Sequence, residues 1–279
     1  MRIPNFGYHL ARWEANLRRK SFRASLPAIV GTSLPVSRSL PLDVYSYSSE
    51  AMLPEQVRSI RSLLLHAGRP NRLTVVSDGT HTAQSMALLE RIDPVVSVRP
   101  AQEYCPADLP ERFRSYVTTH PAGKQLALIM SLPRSGPALY MDSDILFFAG
   151  AVDLTRDARS THAPALYLPD CQGSSVDLRV LRQPIEAGNP VNCGLLMLFR
   201  PLDWSLGIRR FLELEGEPDF FTNQTLIHLV MHANDARPLD GRRYVLQLDD
   251  QFIYPDRHAD GQLVLRHYVN PVRHKFWNA

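Results

Sequence analysis

Two carboxylates one residue apart, Asp142 and Asp144, interrupt the apolar stretch ALYMDSDILFF. An unpaired buried charge is expensive, so acids in such a run need a counter-charge close by. In an extended segment, residues i and i+2 point to the same side, and both carboxylates can then converge on one point. Two carboxylates at one point suit a hard divalent cation with oxygen ligands, Mg2+ or Mn2+. The competing reading is an Asp-Ser-Asp turn or helix cap with both acids in water. The apolar residues on either side of the pair favour the buried, cation-holding arrangement.

Such a pair must be placed by a strand end, and the flanking sequence supplies one. LDVYSY alternates as a strand, and SSEAMLPEQVRSIRSLLLHAG reads as a helix with Pro54 in its first turn and Gly68 at its stop. NRLTVVSDG, HTAQSMALLERID and VVSVRP continue as strand, helix, strand, with Asp78 as a turn residue. AGKQLALIMSLP is a further helix, and PALYMDSD is a buried strand ending at the acids. This alternation predicts βαβ units and a mostly parallel sheet, whose ligands bind at the carboxyl ends of the strands. The second half is less regular. PALYLPD is a short strand ending at Asp170, residues 169–190 are a loop, and VNCGLLMLFRP is a strand. DWSLGIRRFLELEG and FTNQTLIHLVMHAN are helices, the latter with Asn223 as candidate cap, and RRYVLQL and QLVLRHYV are late strands.

LYMDSDILFF resembles the D-x-D segment of GT-A fold glycosyltransferases, most of all glycosyltransferase family 8 and related bacterial nucleotide-diphospho-sugar transferases. Three more segments fall in that family's order. VNCGLLMLFRP resembles its Asn-Ser/Ala-Gly strand, TNQTLIHLV its Asp/Glu-Gln helix, and LRHYVNPVRHKFW its C-terminal His-Tyr…Lys-x-Trp segment. The resemblance implies a Rossmann-like, mostly parallel α/β sheet flanked by helices, with a smaller antiparallel C-terminal portion. Residues 41–279 would form this domain, behind a basic lead-in of residues 1–40. The implied reaction moves a sugar from a nucleoside diphosphate donor, UDP by default, to a hydroxyl of a glycan or lipid-linked acceptor, with retention.

Roles follow from the same resemblance. Asp142 and Asp144 would ligate Mn2+ or Mg2+, with His267 as third ligand and Ser143 completing the donor contact of the motif. Lys275 would meet the diphosphate, Gln224 the reacting face of the donor sugar, and Asn192 and Gly194 would shape the sugar pocket. Tyr45, Ser46 and Ser48 end the first strand, where the fold places the nucleotide base. Lys124 heads the helix before the acids, where related enzymes carry a basic residue. Lysine is scarce, three among 31 basic residues, and two of the three, Lys124 and Lys275, fall in candidate segments.

The chain departs from the pattern twice. Asn223 stands where the family has an acid. The interval from His267 to Lys275 is longer than usual, which makes Arg273 or His274 alternatives for the phosphate role. Asp170 is a candidate to face the sugar, and an inverting reaction would need a base such as Asp249, Asp250 or Glu186. A nucleotidyltransferase would carry a Gly-rich basic loop after the first strand, and YSYSSEAMLPEQ has none. A non-catalytic nucleotide-sugar or glycan-binding protein stays open because of Asn223, as does a plain structural domain with coincidental motifs.

The 279 residues are 44% hydrophobic and 21% charged, and a net charge of +3 is too small to argue for nucleic acid. Residues 1–40 nevertheless hold seven basic residues and one acid, Glu14. They read as a solvated, partly disordered lead-in, or alternatively as a basic arm that touches anionic lipid. Cys105, Cys171 and Cys193 show neither metal nor disulfide spacing, which suits a reducing compartment. With no apolar run of about 20 residues and no signal-peptide core, the expected location is cytoplasmic, with peripheral membrane contact through the N-terminus.

Overall fold

The computed structural model describes residues 5–159, 162–172 and 175–279. Two helices, α1 (Phe6–Ala24) and α2 (Leu26–Gly31), lead into β1 (Ser39–Ser48). Then follow α3 (Leu53–His66), β2 (Arg69–Ser77), α4 (Ala83–Glu90) and β3 (Val96–Pro100). Pro54 sits in the first turn of α3, and Gly68 ends that helix with φ +114°, a backbone angle that favours glycine. After α5 (Glu111–Thr119) and α6 (Pro121–Met130) come β4 (Ala138–Met141), β5 (Ile145–Phe147) and α7 (Leu154–Arg159). The second half holds β6 (Ala165–Pro169), β7 (Val191–Leu198), α8 (Ser205–Leu212), α9 (Thr222–Ala233), β8 (Arg237–Pro238), β9 (Tyr244–Val245) and β10 (Leu265–His267). A short 3-10 helix, Arg273–Trp277, ends the chain.

The main sheet runs β3-β2-β1-β4-β7-β6-β8. Its β3, β2, β1 and β4 are mutually parallel, β7 is antiparallel to both β4 and β6, and β8 is parallel to β6. Leu63, Val57 and Ile60 of α3 belong to the core on one side, and Phe113, Leu126 and Ile227 of α5, α6 and α9 to the core on the other. A second sheet, β5-β10-β9, pairs Ile145 with His267.

The chain therefore leaves one sheet at Met141 and joins the other at Ile145, with the two acids at the crossing. Ser143 and Asp144 form a turn there. This corrects the expectation of an extended Asp-Ser-Asp segment: the acids converge because two sheets meet, not because of strand alternation.

The N-terminal lead-in is also corrected in part. Residues 6–24 are helical, with Ala11 and Ala15 buried and the Phe22 ring 5.3 Å from Trp277. Small residues on one helical face let α1 lie close against the C-terminal 3-10 helix. Arg19 anchors it by pairing with the buried Glu55 on α3.

Candidate active site

Asp142 and Asp144 share their crossing with His267, at the end of β10. One carboxylate oxygen from each acid and a ring nitrogen of His267 all lie within 4.8 Å of one another. His267 Nε2 is 3.0 Å from Asp144 Oδ1 and 3.7 Å from Asp142 Oδ2. Its Nδ1 donates to Asn192 Oδ1 at 2.9 Å, and the same oxygen accepts from Gly194 N at 2.9 Å. The other end of the Asn192 amide donates to Asp170 Oδ2 at 3.0 Å. These bonds fix the Nδ1–H of His267 and leave Nε2 to the acids. Gly194 makes room for the ring, since a Cβ there would lie 2.1 Å from His267 Cε1.

The opposing charges answer the burial cost of the acids. Burial acts to raise the Asp144 carboxyl, but the charge and hydrogen bond of His267 and the charge of Arg273 outweigh it and hold it at about 2. The less constrained Asp142 is raised, by burial first. Burial works to lower His267, yet its two carboxylates raise it above the ordinary imidazole range. Arg273 donates from Nη2 to Asp144 Oδ2. Asp142 Oδ1 accepts from Tyr140 Oη at 2.7 Å and from Gln125 Nε2 at 3.0 Å.

A cavity of about 400 Å³ opens beside this cluster. Arg273, Asn270 and the two acids lie on its wall together with Asp170, Asn192, Gln224 and Asn223. Gln224 Nε2 donates to Ser175 O at 2.9 Å and to Asp170 Oδ2 at 3.3 Å. Cys193 also lines the space, but burial and the nearby carboxylates push its thiol far above the usual range. It is thus protonated and unsuited to attack. The donor set of two carboxylates and one oriented imidazole fits a divalent cation such as Mn2+.

No family model matches the sequence, and no curated protein matches it. Solved structures do. The galactosyltransferase LgtC, in complex with donor and acceptor sugar analogues, superposes with a TM-score of 0.54 at 14% identity, over 82% of this chain and 88% of that one. Mouse xyloside xylosyltransferase 1 in its apo form gives 0.55 at 12% identity, over 84% of this chain and 99% of that one. The chain has the GT-A glycosyltransferase fold.

Not every residue expected around the GT-A cavity lies there. The structure brings Asp142, Asp144, His267, Asn192 and Gln224 together, with Gly194 packed behind His267. Ser143 is buried in the turn and does not line the cavity. The first strand continues through Ser48, so Tyr45 and Ser46 lie inside it rather than at its end. Tyr45 packs in the core against Tyr104, and Ser46 donates to Gln56 Oε1 at 2.9 Å. Lys124 donates from Nζ to Asp78 O at 3.0 Å, tying α6 to the end of β2. His274 sits under Tyr8 of α1, its ring 5.3 Å away. Asn223 is inside the first turn of α9, whose cap is Phe221, and its amide donates to Gln125 Oε1 at 2.9 Å.

Lys275 is the largest displacement. It is fully buried and donates to Ile253 O at 2.6 Å and Pro255 O at 2.9 Å, with Asp250 at 3.5 Å. The physical reason is Arg266. Its guanidinium is buried in a bidentate pair with Asp250 at 2.8 and 3.0 Å, and Lys275 completes that cluster. Arg273, two residues earlier, reaches the acids instead. Asp250 is thereby structural, and Glu186 is occupied by Arg210. Asp249 pairs with His258 at 2.7 Å, and none of these three lines the cavity. Gln125 was not singled out in sequence. Its signal is a lone amide on an otherwise apolar helix that leads into the strand of the acids.

Proposed function

We propose that this chain is a metal-dependent glycosyltransferase. It moves a sugar from a nucleoside diphosphate donor, UDP by default, to a hydroxyl of a glycan or lipid-linked acceptor, with retention. Residues 41–279 would carry the reaction and 1–40 would be an appended basic segment of a cytoplasmic enzyme. The observation that carries this reading is the convergence of Asp142, Asp144 and a tautomer-fixed His267 on one cavity of a GT-A fold. These three residues would hold Mn2+ or Mg2+. When bound, the ion offsets negative charge on the departing diphosphate.

The chain's own groups do the rest. Arg273 brings a guanidinium to the same wall, where it can take a phosphate oxygen in place of Asp144. Asp170, held by Asn192 and Gln224, offers a fixed acceptor to sugar hydroxyls. Gln224 and Asn223 supply amides but no basic carboxylate. Among the described lining residues, Asp170 is the acid outside the candidate metal set, so an inverting base would have to be Asp170.

The test is calorimetric binding of UDP with and without Mn2+, on the wild type and on Asp142→Ala/Asp144→Ala. Metal-dependent binding lost in the variant supports the assignment; no binding by the wild type overturns it. Hydrolysis of a panel of UDP-sugars then addresses a second reading, a binding protein without turnover. The Asn223 amide in place of an acid favours that alternative.

A further inference from the structure

The outer face of α1 has no partner among the described residues. Phe6, Leu10, Trp13 and Leu17 recur at intervals of four, three and four, which places them in one narrow stripe. They are 75, 58, 60 and 46% exposed, while Ala11 and Ala15 on the opposite side are buried. The helix is thus held to the fold by small residues and presents its large apolar ones outward. A second segment holds the helix from the side of its alanines. Phe252 packs edge-on against Tyr8 at 5.2 Å, and the Tyr254 hydroxyl donates to Glu14. Phe252 and Tyr254 are themselves 60 and 56% exposed.

The cations of α1 divide: Lys20 borders the stripe, whereas Arg19 and Arg23 turn to the fold to pair with Glu55 and Glu50, and Arg12 lines a cavity on that same side. Arg12, Arg18, Arg19, Lys20 and Arg23 share the helix with one acid, Glu14, which is engaged by Arg18 and Tyr254. Arg12 and Lys20 are exposed and have no carboxylate partner among the described residues. Although α1 is 19 residues long, no helix among the described residues is long and apolar enough to cross a membrane. An apolar stripe with Trp and Phe, bordered by Lys20 on a basic helix too polar to span, has the chemistry of a helix that lies in a lipid interface.

We propose that α1 docks this protein in the plane of an anionic lipid bilayer. The stripe enters the headgroup–acyl boundary, and Lys20, three residues from Leu17 and bordering the stripe, meets lipid phosphate. A second copy of the chain is a poorer occupant, because stacking two such stripes would bring the Lys20 of each, which has no carboxylate partner among the described residues, beside its like. The docking does not depend on which reaction the site performs. It does place the site: α1 and the C-terminal segment enclose a cavity of about 540 Å³ that includes Arg12, Asn16, Asn270 and Arg273. Asn270 and Arg273 also line the cavity of the two acids, so the two spaces share these walls.

The test uses the full chain with vesicles of phosphatidylcholine alone and of phosphatidylcholine mixed with phosphatidylglycerol. Co-sedimentation with the mixed vesicles is expected, weakening as salt rises. Trp13 is the exposed tryptophan while Trp204 and Trp277 are buried, so a blue shift of emission on binding reports α1 entering lipid. Leu10→Ser/Trp13→Ser should weaken partitioning about tenfold or more with an unchanged thermal melt. Lys20→Glu should reduce the preference for the anionic vesicles. No co-sedimentation by the wild type overturns the proposal, as does equal binding by wild type and Leu10→Ser/Trp13→Ser. A dimer in solution that this variant dissolves, without vesicle binding, would assign the face to self-association instead. Should the double variant melt early, the wild-type Trp13 shift and Trp13→Ser alone decide.

Discussion

Asn192 binds three things at once: the Nδ1 proton of His267, the backbone of Gly194, and the Asp170 carboxylate. Its amide cannot be flipped without losing all three, so it orients His267 as an outer-shell partner orients a metal-bound imidazole. Such partners typically contribute 10- to 100-fold in metal affinity. Asn192→Leu should therefore weaken Mn2+ binding by about that range while Asp142 and Asp144 remain. Gly194→Ala acts on the same ring by volume, because its methyl would fall 2.1 Å from Cε1. It should impair Mn2+ binding at least as much. Calorimetric titration with Mn2+ checks both; wild-type affinity in both variants would remove His267 from the ligand set.

At the level of elements, Arg273 and Lys275 share one 3-10 helix yet serve different structures. Lys275 points into the buried cluster with Asp250 and Arg266, so Lys275→Met leaves two carbonyls without a donor and Asp250 with one cation fewer. Breaking a buried pair this way costs about 3 kcal/mol or more, a fall in Tm of roughly 6 °C or more for a chain of this size. Arg273 is 39% exposed and faces the cavity. Arg273→Ala should lower Tm less than Lys275→Met, since Asp144 keeps His267, and should weaken UDP binding about tenfold, the scale of one charged hydrogen bond. Thermal melts and UDP titrations on the two variants distinguish them; the opposite pattern would return the phosphate role to Lys275. The sequence left this choice open because both residues are basic and two positions apart, and only the burial of Arg266 decides it. What was legible was periodic. β1, α3, β2, α4, β3 and the strand of the acids carry their own alternation and punctuation. By contrast, α1 docks through two alanines, and β9 and β10 have two and three residues, too few to carry a period. His267, Asn192 and Gln224 were found by resemblance, whereas Gln125 needed the packed helix to show which way it points.

For the whole molecule, the walls of the cavity are fastened by carboxylates whose partners lie on other elements. Asp177 accepts from Thr222 on α9 and pairs with Arg179, and Asp250 ties residues 247–257 to β10 and the chain end through Arg266 and Lys275. Burial alone would raise both acids, but these cations and hydrogen bonds hold both below the ordinary carboxylate range. The folded state then keeps them ionised where the unfolded chain takes up protons. Their stabilisation is present above the unfolded value of about 4 and is lost as pH falls through the lower folded values. His267 carries the opposite sign. Its raised value gives the metal-free protein stability that is complete below about 6.5 and fades as pH rises through the folded value. Urea midpoints measured in chelator should therefore fall on the acid side below about pH 4 and decline again on the alkaline side of neutrality. Asp250→Asn should lower the whole curve and flatten its acid limb, and Asp177→Asn should flatten it less, since Asp177 has one cationic partner beyond its hydrogen bonds where Asp250 has two. His267→Gln should remove the alkaline decline and also flatten part of the acid limb, because Asp144 loses the imidazole that holds it low. An acid limb unchanged in both Asn variants would show that other groups fasten the cavity walls. An alkaline decline that survives His267→Gln would detach the imidazole from the charge balance of Asp142 and Asp144.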